Sequence, residues 1–256
     1  MFKLIRNWNN RRIIRKSLYT EMQWAAAFSQ LPILQSLSVS EKQALRELTI
    51  LFLYYKSLEG VQGVIIDDHK RLVIGLQACL PILSLDLGWY DGWVSVVVHP
   101  AGFMPERTVM DEFGVEHRVR TQLIGEAWSQ GAVVLSWADV ETAGFIDGHN
   151  LVVHEFAHKL DMLNGVANGF PPLHSDMSAP QWSAAFTEAF EHFQNYPIQE
   201  IDRYAATSPA EFFAVLSEVF FECPQVVVRH YPEIYGLLCQ FYRQDTLARF
   251  NYSASS

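Results

Sequence analysis

An α+β fold follows from three features of the 256-residue sequence. The runs that read as strands, clearest in WVSVVVH at 93–99, all come before Asp147. From Asp147 onward, amphipathic helical patterns follow one another. No internal repeat and no linker rich in Pro, Gly or Ser divides the two regions, so 1–256 is expected to form a single domain. Its parts are a basic leader over 1–20, helices and a small mixed sheet over 21–145, and a helical half over 146–256.

The elements follow in order. Ser40, with Gln43 three residues on, suits an N-cap, and Leu45, Leu48, Leu51, Phe52 and Tyr55 continue at helical spacing as a core face. Val61–Asp67 reads as a short strand and His69–Leu80 as a helix that stops before Pro81. Strands are expected at Trp93–His99, closed by Pro100 and Gly102, then at Arg118–Thr121 and Ala132–Trp137. Asp147 suits the cap of a helix over Gly148–Leu163, ended by Asn164 and Gly165. After a loop at Asn168–Pro172 come helices around Pro180–Phe193, from Ser208, and over Tyr231–Phe250.

Half of the residues are apolar and 18% are charged, enough to bury a sizeable core. The most apolar stretch, Leu72–Leu87, is interrupted by Gly75, Gln77, Pro81, Ser84 and Asp86, which is too broken to cross a bilayer. No secretory signal is expected, because the first residues have no apolar core or small-residue cleavage site behind their cations. Cys79, Cys223 and Cys239 are odd in number and form no Cys-x-x-Cys pair, which argues for free thiols in a reducing cytoplasm.

Setting aside Lys3, Arg6, Arg11, Arg12, Arg15 and Lys16 takes the net charge from −9 to −15 for the rest of the chain. So acidic a body disfavours direct binding of nucleic acid. The ordinary fate of such a leader is a solvated or frayed terminus. Its Phe2, Ile5, Trp8 and Arg12, at helical spacing, also suit an anionic membrane or a partner.

The pentapeptide HEFAH at 154–158 carries the chemistry. At about 100° per residue, His154, His158 and Asp161 share one helical face with Glu155 at its shoulder, while Val152, Val153, Phe156, Leu160 and Leu163 take the other side. Imidazoles four apart can aim at one Zn2+, and the glutamate beside the first projects next to the ion. The plain alternative is a metal-free polar helix face, but a pattern like this arises by accident in roughly one chain in fifty of this composition.

A catalytic zinc needs a third protein ligand. The metzincin continuation would require glycine at 161 and histidine at 164, where the chain has Asp161 and Asn164. Asp161 can coordinate directly, or it can accept a hydrogen bond from a ligating imidazole or steady the helix. Glu211 opens a helix whose Glu211, Glu218 and Glu222 share a face. It suits either a ligand or a capping box with Ser208, with Pro209 in the first turn. In the capping case Glu218 competes as the third ligand.

HEFAHKLD at 154–161, followed by DRYAATSPAEFFAVLSE at 202–218, resembles the Mlc titration factor A family of zinc peptidases. The likeness extends over nearly the whole chain, except the leader before Ser17, and includes the Leu80-Pro81 and Trp137-Ala138-Asp139 segments. The second half is also similar to the catalytic domain of the toxin lethal factor. The resemblance implies a zincin-type helical half with the HEFAH helix in the core and a gluzincin-like site in which Glu211 joins His154 and His158. It implies Tyr204 as the oxyanion donor and Glu155 as the base. His117 enters the same way, as a displaceable fourth ligand of a latent enzyme. The implied activity is aminopeptidase-like hydrolysis of short peptides, and the implied partner is the Mlc transcriptional repressor. A repressor-binding protein without catalysis is the rival reading. Asp161, Asp176 and Glu218 are candidates for an amine pocket, and the strand at Ala132–Leu135 is a candidate edge for an extended substrate.

Overall fold

The computed structural model describes residues 2–101, 106–110, 116–120 and 131–253, with side chains described for 8–101 and 131–250. The first layer is helical: α1 (Phe2–Arg15), α2 (Glu21–Gln30), α3 (Val39–Tyr55) and α4 (Asp68–Cys79). α1 lies along α3, with Ile13 buried, the Asn9 amide donating to Tyr55 Oη at 3.3 Å and Tyr55 Oη donating to Asn10 Oδ1 at 3.1 Å. α3 starts two residues earlier than the Ser40 expectation. Ser38 Oγ accepts Glu41 N and the Glu41 carboxylate accepts Ser38 N, so the reciprocal cap forms with a carboxylate in the first turn.

Three parallel strands, β1 (Ser57–Gly60), β2 (Ser95–His99) and β5 (Val133–Ser136), form a sheet in the order β1-β2-β5. Ser57 stands opposite Ser95, and Val96 opposite Val133. Val96 and Val98 alternate inward along β2. Two further strands, β3 (Glu106–Met110) and β4 (Glu116–Arg120), form an antiparallel ribbon that pairs Val109 with His117. The expected strand end at Thr121 lies outside the described residues, as does the His117 side chain.

The strand expected over Val61–Asp67 is absent, and β1 precedes it. Gln62 (φ 52°) and Gly63 (φ 89°) are both left-handed, and Val64 N closes a turn onto Val61 O at 3.1 Å. Consecutive positive φ values turn the chain where the β-branched residues suggested extension.

After the short α5 (Trp137–Thr142), α6 (Leu151–Asp161) carries HEFAH. It starts later than expected. Asn150 is its cap, accepting Val153 N at 3.0 Å, while Gly148 is left-handed (φ 88°) and Asp147 accepts His149 N at 2.9 Å in the loop before it. α7 (Ala179–Asn195), α8 (Pro209–Glu222), α9 (Pro224–His230), α10 (Pro232–Tyr242) and α11 (Thr246–Ser253) complete the chain. The single stripe expected over 231–250 is therefore broken, with left-handed Arg243 (φ 54°) ending α10.

α8 is the structural centre. Every residue from Ala210 to Glu222 is buried, as expected for a helix covered on all sides. It packs against α6, while Phe213 meets Trp182 of α7 and Phe241 of α10 with ring centroids 6.0 and 5.9 Å apart. Phe156 holds the apolar side of α6 against Phe52, Tyr90 and Trp93 at 5.7, 5.1 and 5.6 Å. No helix among the described residues is long and apolar enough to cross a membrane.

Candidate metal centre

α6 and α8 bring three ligand atoms together. His154 Nε2 and His158 Nε2 are 3.2 Å apart, and Glu211 Oε2 lies 3.1 Å from the first and 3.3 Å from the second. All three residues are buried, and among the described residues this is the group able to hold a metal ion. Tetrahedral zinc with bonds of about 2.0–2.1 Å places adjacent donors roughly 3.3 Å apart, so the donor triangle fits that ion without adjustment. Two imidazoles and one carboxylate are also the donor types of a catalytic site. Half of the expected capping box is present: Ser208 Oγ accepts Glu211 N at 3.2 Å, while the Glu211 carboxylate faces the imidazoles. Its Oε1 is buried without a hydrogen-bond partner.

Glu218 stands behind the triangle. Its Oε1 is 2.7 Å from His154 Nδ1, and its Oε2 accepts Asn150 N at 2.5 Å. A proton held on Nδ1 by this carboxylate makes Nε2 the nitrogen that would ligate a metal ion. Glu218 was expected as a competing third ligand; two turns along α8 from Glu211, it meets the far side of the His154 ring. Burial opposes the charged form of His154, but hydrogen bonds to Glu211 and Glu218 raise its pKa to about 10. Burial likewise opposes ionisation of Glu211, yet the two imidazoles hold it down at about 2.

Glu155 is half-buried beside the triangle. Burial raises its pKa, and the neighbouring His154 and His158 pull it back. Tyr204 comes from a 3-10 turn at Arg203–Ala206 that packs on α8, where Asp202 Oδ1 accepts its backbone amide at 2.9 Å. Its ring centroid is 6.2 Å from that of His154, and its phenol pKa is raised by burial and then by Glu211 and Glu155.

Other sequence candidates lie elsewhere. The Asp161 carboxylate turns to a loop, its Oδ2 accepting Asn168 N at 2.8 Å and Gly169 N at 2.7 Å. Burial lifts its carboxyl to about 6. Asp176 is exposed and paired with Arg243 Nη2 at 2.5 Å.

Sequence reasoning placed Glu222 on the correct face and gave it no task. Its Oε1 accepts Gly144 N at 3.1 Å and Asn150 Nδ2 at 2.9 Å, and its Oε2 accepts Asp147 N at 3.2 Å and Gly148 N at 3.0 Å. Gly144, Ile146 and Gly148 alternate in left-handed conformations at φ 82°, 63° and 88°, and these turn successive amides inward. The alternation of glycines at 144 and 148 is the signal that marks this wrap in the sequence.

A profile of the glucose-regulated metallo-peptidase M90 family matches residues 5–243. Several curated relatives are named Mlc titration factor A. The chain is 38% identical to the Cronobacter sakazakii protein over 234 residues, covering 89% of this chain and 88% of the relative. For the Klebsiella pneumoniae protein the identity is 38% over 235 residues, with coverage of 90% and 88%. For that of Salmonella gallinarum it is 39% over 234 residues, with coverage of 88% and 87%. The matched span contains α6, α8 and every residue of the donor triangle, and the chain belongs to the glucose-regulated metallo-peptidase M90 family.

Proposed function

We propose that the protein is a zinc-dependent peptidase with aminopeptidase-like action on short peptides, and that it also binds an Mlc-type repressor. The observation that carries the peptidase reading is the convergence of His154, His158 and Glu211 with Glu155 at their side. Those three residues would hold Zn2+. Bound there, zinc supplies Lewis acidity that polarises a carbonyl and brings the pKa of water toward neutrality.

The chain's own residues do the rest. A Glu155 carboxylate oxygen takes the proton of the attacking water and returns it to the leaving amine, a task suited to a carboxyl raised by burial. The Tyr204 hydroxyl, protonated well beyond neutral pH, donates to the developing oxyanion. Glu218 fixes the His154 ring through Nδ1. Asp161 acts at the other end of α6, holding the 168–169 loop. β5 is one of the two outer strands of its sheet among the described residues, and its outer edge would pair with an extended peptide. His117, on β4, is the proposed displaceable ligand of a resting enzyme, and His117→Ala should then raise basal peptidase activity.

The repressor reading rests on the relatives named Mlc titration factor A and on an acidic body suited to a basic partner. Free thiols at Cys79, Cys223 and Cys239 suit a cytoplasmic setting.

Zinc content and hydrolysis of aminoacyl and blocked-peptide chromogenic substrates, compared between wild type and Glu155→Gln, test the proposal. One zinc per chain in both and turnover in wild type alone is the expected result. Full activity in Glu155→Gln would overturn the assignment of the base. One zinc with no turnover in either would favour the binding protein, and retained repressor binding by Glu155→Gln would separate titration from proteolysis.

A further inference from the structure

The leader forms a helix whose two sides differ. Taking Trp8 as the origin at about 100° per residue, Arg11, Arg12 and Arg15 fall within a sector roughly 100° wide that includes it. Asn9, Asn10 and Ile13 lie on the opposite side, and these are the residues that face α3. All four outer residues are exposed. Trp8 is 65% exposed, with the Arg12 guanidinium 6.0 Å from its ring centroid. Exposed Lys16 follows, and then Leu18 and Met22, 93% and 81% exposed. Glu21, the first acid in the chain, is engaged by Arg46 at 2.9 Å.

We propose that this outer face of α1 docks the protein onto an anionic lipid surface. Charge complementarity selects the partner: the segment through Lys16 holds six cations and no acid, in a chain whose net charge is −9. An anionic bilayer repels the remaining body and attracts this end alone, which fixes the orientation of approach. The apolar groups favour lipid over nucleic acid. An indole between arginines suits the headgroup level, and the exposed Leu18 and Met22 find apolar volume at the acyl boundary that a phosphate backbone does not offer. The inference concerns a surface built from residues 8–22, away from the donor triangle, and does not depend on the zinc chemistry.

The test uses the full-length zinc-loaded protein in cosedimentation with phosphatidylcholine vesicles, with and without about a third phosphatidylglycerol. Binding to the anionic vesicles alone, weakened by added salt, is expected. Each cation near such a surface strengthens binding about fivefold, so Arg11→Gln/Arg12→Gln/Arg15→Gln should weaken it about a hundredfold. Trp8→Ala should weaken it several-fold with every charge in place. Zinc content and melting temperature should match wild type in both variants, since these side chains face solvent. Equal binding to neutral vesicles, or undiminished binding by the arginine variant, would overturn the proposal. Tighter capture of a single-stranded oligonucleotide than of anionic vesicles would overturn it too, and would assign the face to nucleic acid.

Discussion

Replacing Gly169 by alanine should destabilise both the fold and the metal centre. Gly169 has φ 77°, and a Cβ built on it would stand 2.5 Å from the Pro209 carbonyl oxygen and 2.9 Å from its carbon. The loop cannot drift away to make room. Its amide is held by Asp161 at 2.7 Å, and its carbonyl accepts Trp182 Nε1 at 3.0 Å. A left-handed backbone costs a residue with a Cβ about 1–2 kcal/mol, and overpacking against fixed backbone costs about 1–3 kcal/mol more. The expected loss is therefore about 2–5 kcal/mol, or a fall in melting temperature of roughly 5–15 °C for a chain of this size. Relief of the clash pushes on the first turn of α8, two residues before Glu211, so zinc affinity should fall as well. Urea unfolding and chelator competition measure the two effects. A variant within about 1 kcal/mol of wild type and with unchanged zinc affinity would refute the reasoning.

Glu218→Gln should fold and weaken zinc binding about 10–100-fold in chelator competition, because an amide cannot accept from both His154 Nδ1 and Asn150 N. Tyr204→Phe should lower turnover about a hundredfold with zinc content unchanged. Burial, opposed by hydrogen bonds from Asn150 and Gly148, raises Glu222 from 4.5 to about 7. A raised carboxyl stabilises the fold fully below its unfolded value, and that contribution is lost as pH rises through its folded one. Wild type should therefore lose roughly 3 kcal/mol relative to Glu222→Gln between about pH 5 and pH 8, read from urea unfolding at each pH.

The helical half was the more legible. The HEFAH spacing, the Ser208 cap and Pro209 are local signals, and α6 and α8 bear them out to within a few residues. The sheet was less so, because parallel pairing is set by distant partners. β1 has one buried side chain, Leu58, and takes its place from β2, some forty residues on. A cap two residues from another candidate separates Ser38 from Ser40 only through the side chain at the third helical position. The role of Glu218 could not be read from spacing along α8, because the histidine nitrogen it meets belongs to another helix.

Glu211, Glu218 and Glu222 act on α6 and its approach loop from positions 53 to 78 residues later in the chain. Before α8 has docked, the HEFAH segment lacks its third donor, the partner of the His154 ring and the carboxylate that folds the loop ahead of its cap. On the ribosome, the histidines emerge well before the residues that complete their site. Metal loading, and any hydrolysis that depends on it, is thereby postponed until the last third of the chain has been made and packed, so an unfinished copy carries the motif as an inert stretch of sequence.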